Sequence, residues 1–191
     1  MKRIFLLFLL FGWCVAAHAQ YGGEFVLGAR INYVGGGRVI QDWGRKDLGY
    51  TLKFTASPGY FIHRKWCVGV NLGYEFMTDA KGHQYTFESL PYVRYYSRGE
   101  VLRFFLQLES GPGWGRSILK DDNDGKHFLW MTTLKPGLYI RIKNGFATEV
   151  TISNLENKNI NIHSGGKNLK FNRWDFQVLS ISFGVSWIFG Y

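Results

Sequence analysis

Three stretches of this sequence bring together side chains that could do chemistry. Asp121-Asp122-Asn123-Asp124-Gly125 is rich in oxygen ligands and invites calcium. An EF-hand-like loop needs an acid at its first position and a glutamate at its twelfth. In the best register those positions hold Lys120 and Met131, so a solvated loop tip fits better. His163-Ser164 places a base beside a hydroxyl, and Thr151-Ile152-Ser153-Asn154 places a serine beside an amide. A serine becomes a nucleophile only with an activating base in hydrogen-bond reach. His163 and Ser164 are adjacent in a glycine-rich stretch, a poor arrangement for a positioned dyad. Ser153 has no histidine beside it to act as an activating base. His and Cys show no metal-ligand spacing, so neither a metal nor a cofactor is expected.

What positions the remaining polar residues begins with the N-terminus. Met1-Lys2-Arg3 is a short basic start, Ile4 to Ala17 is uncharged and apolar, and Ala17-His18-Ala19 has the small-x-small pattern of a signal-peptidase site. Residues 1–19 therefore read as a signal peptide, cut between Ala19 and Gln20, and residues 20–191 as one domain. The apolar run is short of the roughly 20 residues that span a bilayer as a helix. A lipoprotein reading, on Cys14, is disfavoured by the bulky Trp13 before it. Once the leader is gone Cys67 is the sole cysteine, and no internal disulfide can form. The net charge is +9, and Lys2 and Arg3 lie in the leader, which leaves +7. Such a balance could serve nucleic acid, but export argues against that partner. Lipid headgroups and lipopolysaccharide phosphates suit it better.

Beyond the leader no apolar stretch is long enough for a spanning helix, yet aromatics make up 18% of the chain and glycines number 24. That combination fits a β-barrel in lipid. Period-2 alternation runs through eight segments. In 24–34, Phe25, Leu27, Ala29, Ile31 and Tyr33 oppose Glu24, Arg30 and Asn32. In 48–62, Tyr50, Leu52, Phe54, Ala56 and Tyr60 oppose Thr51, Lys53, Thr55 and Ser57. In 66–77, Trp66, Val68, Val70, Leu72, Tyr74 and Phe76 oppose Cys67, Gly69, Asn71, Gly73 and Glu75. Segment 86–96 sets Phe87, Val93 and Tyr95 against Glu88, Tyr92 and Arg94, and 101–114 sets Phe104, Leu106 and Leu108 against Arg103, Gln107 and Glu109. Segment 128–142 sets Phe128, Trp130, Leu134, Leu138 and Ile140 against Lys135, Tyr139 and Arg141. Segment 146–154 sets Phe146, Val150 and Ile152 against Glu149, Thr151 and Ser153. The last, 174–191, sets Leu179, Ile181, Phe183, Val185, Trp187, Phe189 and Tyr191 against Gln177, Ser180, Ser182, Gly184 and Ser186.

Tight connections (63–65, 97–100, 143–145) alternate with long ones (35–47, 78–85, 117–127, 155–173). Outer-membrane barrels have short periplasmic turns and long outer loops. Four long loops and three tight turns make an eight-stranded, antiparallel, up-and-down transmembrane barrel. A water-soluble barrel would reverse the faces. Here one face carries Arg30, Lys53, Glu75, Arg94, Arg103, Glu109, Lys135, Arg141 and Glu149, and the other almost no charge. That makes the charged face the lumen. Tyr60, Trp66, Tyr95, Phe104, Phe146, Trp187 and Phe189 gather near the tight turns as an interfacial girdle. Pro58, Pro91, Pro112 and Pro136 fall inside strands, and bulges are expected near Pro58-Gly59, Gly111-Pro112-Gly113 and Pro136-Gly137.

Several segments resemble a known family: Ser57-Pro58-Gly59-Tyr60-Phe61, Pro91-Tyr92-Val93-Arg94-Tyr95-Tyr96, and the ending Gly184-Val185-Ser186-Trp187-Ile188-Phe189-Gly190-Tyr191. They look like the small outer-membrane β-barrel domains of Bacteroidetes, within the OmpA/OmpX-like superfamily, over essentially all of 20–191. The resemblance implies a Gram-negative outer membrane, and an assembly signal for the barrel-assembly machinery in Gly184, Trp187, Phe189 and Tyr191, with Gly190 a departure. Some eight-stranded barrels deacylate lipid A, and that family carries His-x-Ser-Asn on a strand. Thr151-Ile152-Ser153-Asn154 is similar but lacks the histidine.

The function expected is that of a non-enzymatic, monomeric barrel that supports the envelope or displays loops. Its interior is expected to be plugged by paired charges, since eight strands enclose a space that side chains can fill. A narrow porin-like channel is the alternative, and a lipid A-modifying hydrolase the third reading.

Overall fold

The computed structural model describes residues 23–37, 49–79, 82–119, 125–143, 145–151, 154–164, 167–177 and 182–189. The leader with its Ala19–Gln20 junction, the acidic loop 120–124, Ser153 and Tyr191 lie outside these residues. The ten described strands are β1 (Glu24–Gly37), β2 (Gly49–His63), β3 (Trp66–Asp79), β4 (Gly82–Tyr96), β5 (Leu102–Leu119), β6 (Gly125–Lys143), β7 (Phe146–Thr151), β8 (Asn154–Ser164), β9 (Lys167–Gln177) and β10 (Ser182–Phe189). Every pairing is antiparallel between neighbours in the order β5-β4-β3-β2-β1-β10-β7-β6, and β5 pairs with β6 to close a ring of eight. Closure leaves no open edge in that ring, so backbone donors and acceptors are satisfied within it, which a lipid surround demands.

Ten segments make eight walls because β7 and β8 both lie along β6, β7 against Gly137–Lys143 and β8 against Gly125–Leu134. Gly137 faces Thr151 and Leu134 faces Leu155, so three steps on β6 match four on the other chain segment. That one-residue slip flips side-chain parity: Thr151 is buried, and beyond it the buried positions are Glu156, Ile160 and Ile162. The slip falls opposite Pro136, where the sequence suggested a bulge. The other two proline sites need correction. The β2–β3 register is the same at Ala56/Leu72 and Gly59/Gly69, and the β4–β5 register the same at Glu88/Gly113 and Tyr92/Glu109. A proline lacks one N–H toward one neighbour, and here the ladder is interrupted on that side with no residue inserted. Gly69 and Gly111 let the backbones close in at these gaps. A Cβ on Gly69 would stand 2.3 Å from the Pro58 carbonyl, and one on Gly111 2.3 Å from that of Ser89.

The strands also run further than expected at the long-loop end. Most of 78–85, 117–127 and 155–173 is strand, not loop. In 159–163 the polarity is inverted relative to the rest of the barrel, with Ile160 and Ile162 buried inward and Asn159, Asn161 and His163 exposed. A polar exterior, not hydrocarbon, selects that pattern, and its polarity is what made the sequence look like a loop.

Below the long-loop rim, where His83, Arg116, Lys126 and Lys170 are exposed, the outer face is mainly apolar and aromatic. Near the tight turns Phe25 packs on Tyr60 (4.9 Å between ring centroids), Trp66 on Tyr95 (5.0 Å) and Phe146 on Trp187 (5.6 Å). Toward the other end Phe76 packs on Tyr85 (5.3 Å) and Phe87 on Trp114 (5.3 Å). Trp66 and Phe76 stand at these two levels on β3. Ten steps of about 3.3 Å, tilted by about 40°, separate the levels by roughly 25 Å, the height of a barrel's lipid-facing band.

Candidate functional site

The inward residues form a graded interior. Read from the tight-turn end, those of β6 are Tyr139, Gly137, Lys135, Thr133, Met131, Leu129 and His127. Tyr139 belongs to one apolar cluster with Val26, Phe61, Cys67, Tyr92, Tyr96, Phe105 and Ala147. Met131 and Leu129 belong to another with Leu90, Ile160 and Ile162. Lys135 and Thr133, which lie between them on β6, mark a charged belt.

Among the described residues five cations in that belt, Arg30, Lys53, Arg94, Lys135 and Lys158, meet five carboxylates, Glu75, Glu88, Glu109, Glu149 and Glu156. Formal charge therefore cancels. Arg94 Nη1 lies 2.7 Å from Glu149 Oε1, and Arg30 Nη2 lies 3.3 Å from Glu149 Oε2. Arg94 is on β4 and Glu149 on β7, with β5 and β6 between them in the ring, so this pair crosses the lumen. Arg94 Nε also donates to Gln107 Oε1 (2.7 Å), and Arg94 Nη1 to the Tyr96 hydroxyl (2.8 Å). Its guanidinium lies over the Phe105 ring at 4.4 Å. Gln107 Nε2 donates to Glu109 Oε2 (2.6 Å), and Asn71 Nδ2 donates to the same oxygen (2.5 Å). Lys135 pairs with Glu109, Lys53 with Glu88, and Lys158 with Glu156 (3.2 Å). One connected chain of contacts thus runs from Arg30 through Glu149, Arg94, Gln107 and Glu109 to Lys135. Removing two opposite charges from water is unfavourable unless they pair and their remaining hydrogen-bonding groups are met. The belt meets much of that requirement by bridging contacts, with Arg30 Nε and Asn71 Oδ1 buried without a hydrogen-bond partner among the described residues.

Small residues make the room. A Cβ on Gly59 would stand 2.3 Å from the Tyr92 hydroxyl, so Gly59 on β2 and Gly69 on β3, the strand next to β4, form the slot in which this ring lies along the inner wall. Gly184, inward on β10, lies beside the Arg30 stem, 3.4 Å from Cβ to Arg30 Cγ if a Cβ were added.

Six of the nine residues assigned to the lumen from sequence, Arg30, Lys53, Arg94, Glu109, Lys135 and Glu149, meet in ion pairs. Glu75 faces inward opposite Lys53 on the neighbouring strand. Arg103 and Arg141 are not part of the belt. Arg103 Nε donates to the Gly99 carbonyl (2.6 Å) and Arg141 is exposed, because both sit where the strands leave the ring for the tight turns. Sequence reasoning missed Glu88, Glu156 and Lys158. Glu88 stood in the inward pattern of its strand, whereas Glu156 and Lys158 were concealed by the slip opposite Pro136. Of the assembly residues, Trp187 and Phe189 are exposed on the outer face and Gly184 is inward. His163 is exposed on the outer face. Among the described residues no three His, Cys, Asp or Glu side chains gather as a metal site.

No family model matches the chain, and no curated protein matches it by sequence. Among solved structures it is similar to the N-terminal β-barrel domain of Pseudomonas aeruginosa OprF, with TM-score 0.53 and 16% identity over 88% of this chain and 99% of that one. It is similar also to the outer membrane protein OprG of Pseudomonas aeruginosa (0.51, 12%, covering 91% and 99%). A third is the neisserial surface protein A (0.52, 11%, covering 86% and 96%). At such identities the likeness is one of fold, and the fold is that of small outer-membrane β-barrels.

Proposed function

We propose that this chain is an exported, integral outer-membrane barrel of a Gram-negative bacterium that works without catalysis. Its lumen is closed by the charge belt between two apolar clusters, and it supports the envelope or presents its long-loop end at the cell surface. The observation that carries this reading is the reversal of faces: a charge-balanced interior inside an apolar wall bearing two aromatic levels about 25 Å apart. A water-soluble barrel of this ring size would hold its apolar side chains within. The partners that follow are membrane lipid and lipopolysaccharide, with the barrel-assembly machinery reading the terminal strand. The barrel acts as a monomer. The Bacteroidetes-type assignment rests on the Pro91–Tyr96 and Gly184–Tyr191 segments.

Cell fractionation with SDS gels tests the reading. The protein is expected in the outer-membrane fraction, with migration that changes on boiling, because a closed barrel unfolds slowly. Recovery in the soluble fraction with unchanged migration contradicts it. Release of fatty acid from lipid A by the parent, abolished in Ser153→Ala, contradicts the non-catalytic part.

A further inference from the structure

The geometry points to a phosphate-binding site for an outer-leaflet glycolipid on the outer face of β6, β8 and β9, built from Lys126, His163 and Lys170. It rests on the outer-membrane reading above, with the long-loop end outward. These side chains line a shallow cavity of about 320 Å³ with Phe128 and Asn161. The register sets them side by side. Arg116 on β5 faces Lys126 on β6, Lys126 faces His163 on β8, and Asn161, one outward position below His163, faces Lys170 on β9.

Two features of the surroundings favour an anion here. The described residues that line the cavity include Lys126 and Lys170 and no carboxylate, so the cavity itself offers cations to a ligand. Lys126 and Lys170 also flank β8 from its two sides, Lys126 facing His163 and Lys170 facing Asn161, so two cations converge on one cavity.

A third feature selects a lipid as the source of the phosphate. Phe128 and Trp114 are outward one position below Lys126 and Arg116 on the same strands, and Trp130 follows Phe128. Aromatic rings of this kind mark the boundary between hydrocarbon and headgroups. The cations therefore stand at headgroup height, where a glycolipid's phosphate lies with its acyl chains against the rings below. A free phosphate would gain only the charge contacts, which salt screens. The inverted polarity of 159–163 agrees, since a strand with Asn159, Asn161 and His163 outward belongs among headgroups.

The test uses the refolded full barrel in phosphatidylcholine vesicles that contain either bis-phosphorylated lipid A or its dephosphorylated form, with bound lipid titrated. Lys126→Gln and Lys170→Gln are each expected to weaken binding of the phosphorylated lipid about fivefold, and together about 25-fold. Dephosphorylated lipid A should bind the parent as weakly as the double variant binds the intact lipid. Arg64→Gln, in a tight turn at the far end, should change nothing. Equal binding by parent and double variant overturns the site. Competition by inorganic phosphate at millimolar concentration overturns the lipid as its source. Heat-shifted mobility is read in every sample. A barrel that fails to insert overturns the outer-membrane reading and the site with it, whereas an inserted barrel indifferent to phosphate overturns the site alone.

Discussion

Arg94→Ala removes the cation at the centre of the interior network. Arg94 is 2% exposed and holds Glu149 at 2.7 Å, Gln107 at 2.7 Å and Tyr96 at 2.8 Å. Without it Glu149 keeps, among the described residues, Arg30 at 3.3 Å. Removing one partner of a buried pair destabilises by about 3–5 kcal/mol. Loss of the contact with Phe105 adds about 0.5–1 kcal/mol. Water admitted into the vacated space hydrates the carboxylate and offsets part of this, so a net loss of about 3 kcal/mol is expected. Urea unfolding of the vesicle-inserted barrel, followed by tryptophan fluorescence and by gel mobility, measures it. The double variant Arg94→Ala/Glu149→Ala removes the stranded carboxylate as well. Its loss should fall short of the sum of the single losses by about 2 kcal/mol, the coupling expected of residues in one buried network. A single-variant loss under about 1 kcal/mol, or strict additivity, refutes the claim that these charges brace one another across the lumen.

Deleting Trp187 to Tyr191 removes the pairing of Trp187, Ile188 and Phe189 with Leu27, Val26 and Phe25 that closes the ring, and should abolish insertion; normal surface levels of the truncated chain, measured by protease accessibility on intact cells, would contradict this. Gly69→Ala forces a Cβ to within 2.3 Å of the Pro58 carbonyl and 2.7 Å of the Tyr92 ring, and should destabilise by about 1–3 kcal/mol in the same urea assay. Tyr92→Leu should not restore it, because the carbonyl remains.

The faces of the barrel were readable because lipid and lumen impose opposite chemistry on alternate residues. From Phe25 to Tyr33 and from Trp66 to Phe76 every outward residue named from the pattern is outward in the fold. Legibility failed where one of two conditions lapsed. At Thr151–Leu155 a one-residue slip reverses parity, and no single residue type announces it except Pro136 on the facing strand. Beyond the slip the outside is polar, so Asn157, Asn159 and Asn161 are strand residues with the composition of a loop. Glu156 and Lys158 were lost for that reason. Arg103 and Arg141 were misassigned for a different one: inward parity continues to a strand's last residue, but burial does not. Which carboxylate meets which cation was not legible, because Arg94 reaches Glu149 across strands that no sequence spacing relates.

The central claim, that the lumen is closed, is tested most directly by planar-bilayer recording of the inserted parent barrel. The charge belt and the apolar clusters that flank it predict no steady conductance above the bare membrane. A large ohmic conductance, with ion selectivity that changes in Arg94→Ala while stability does not, would contradict the closed interior and establish a pore.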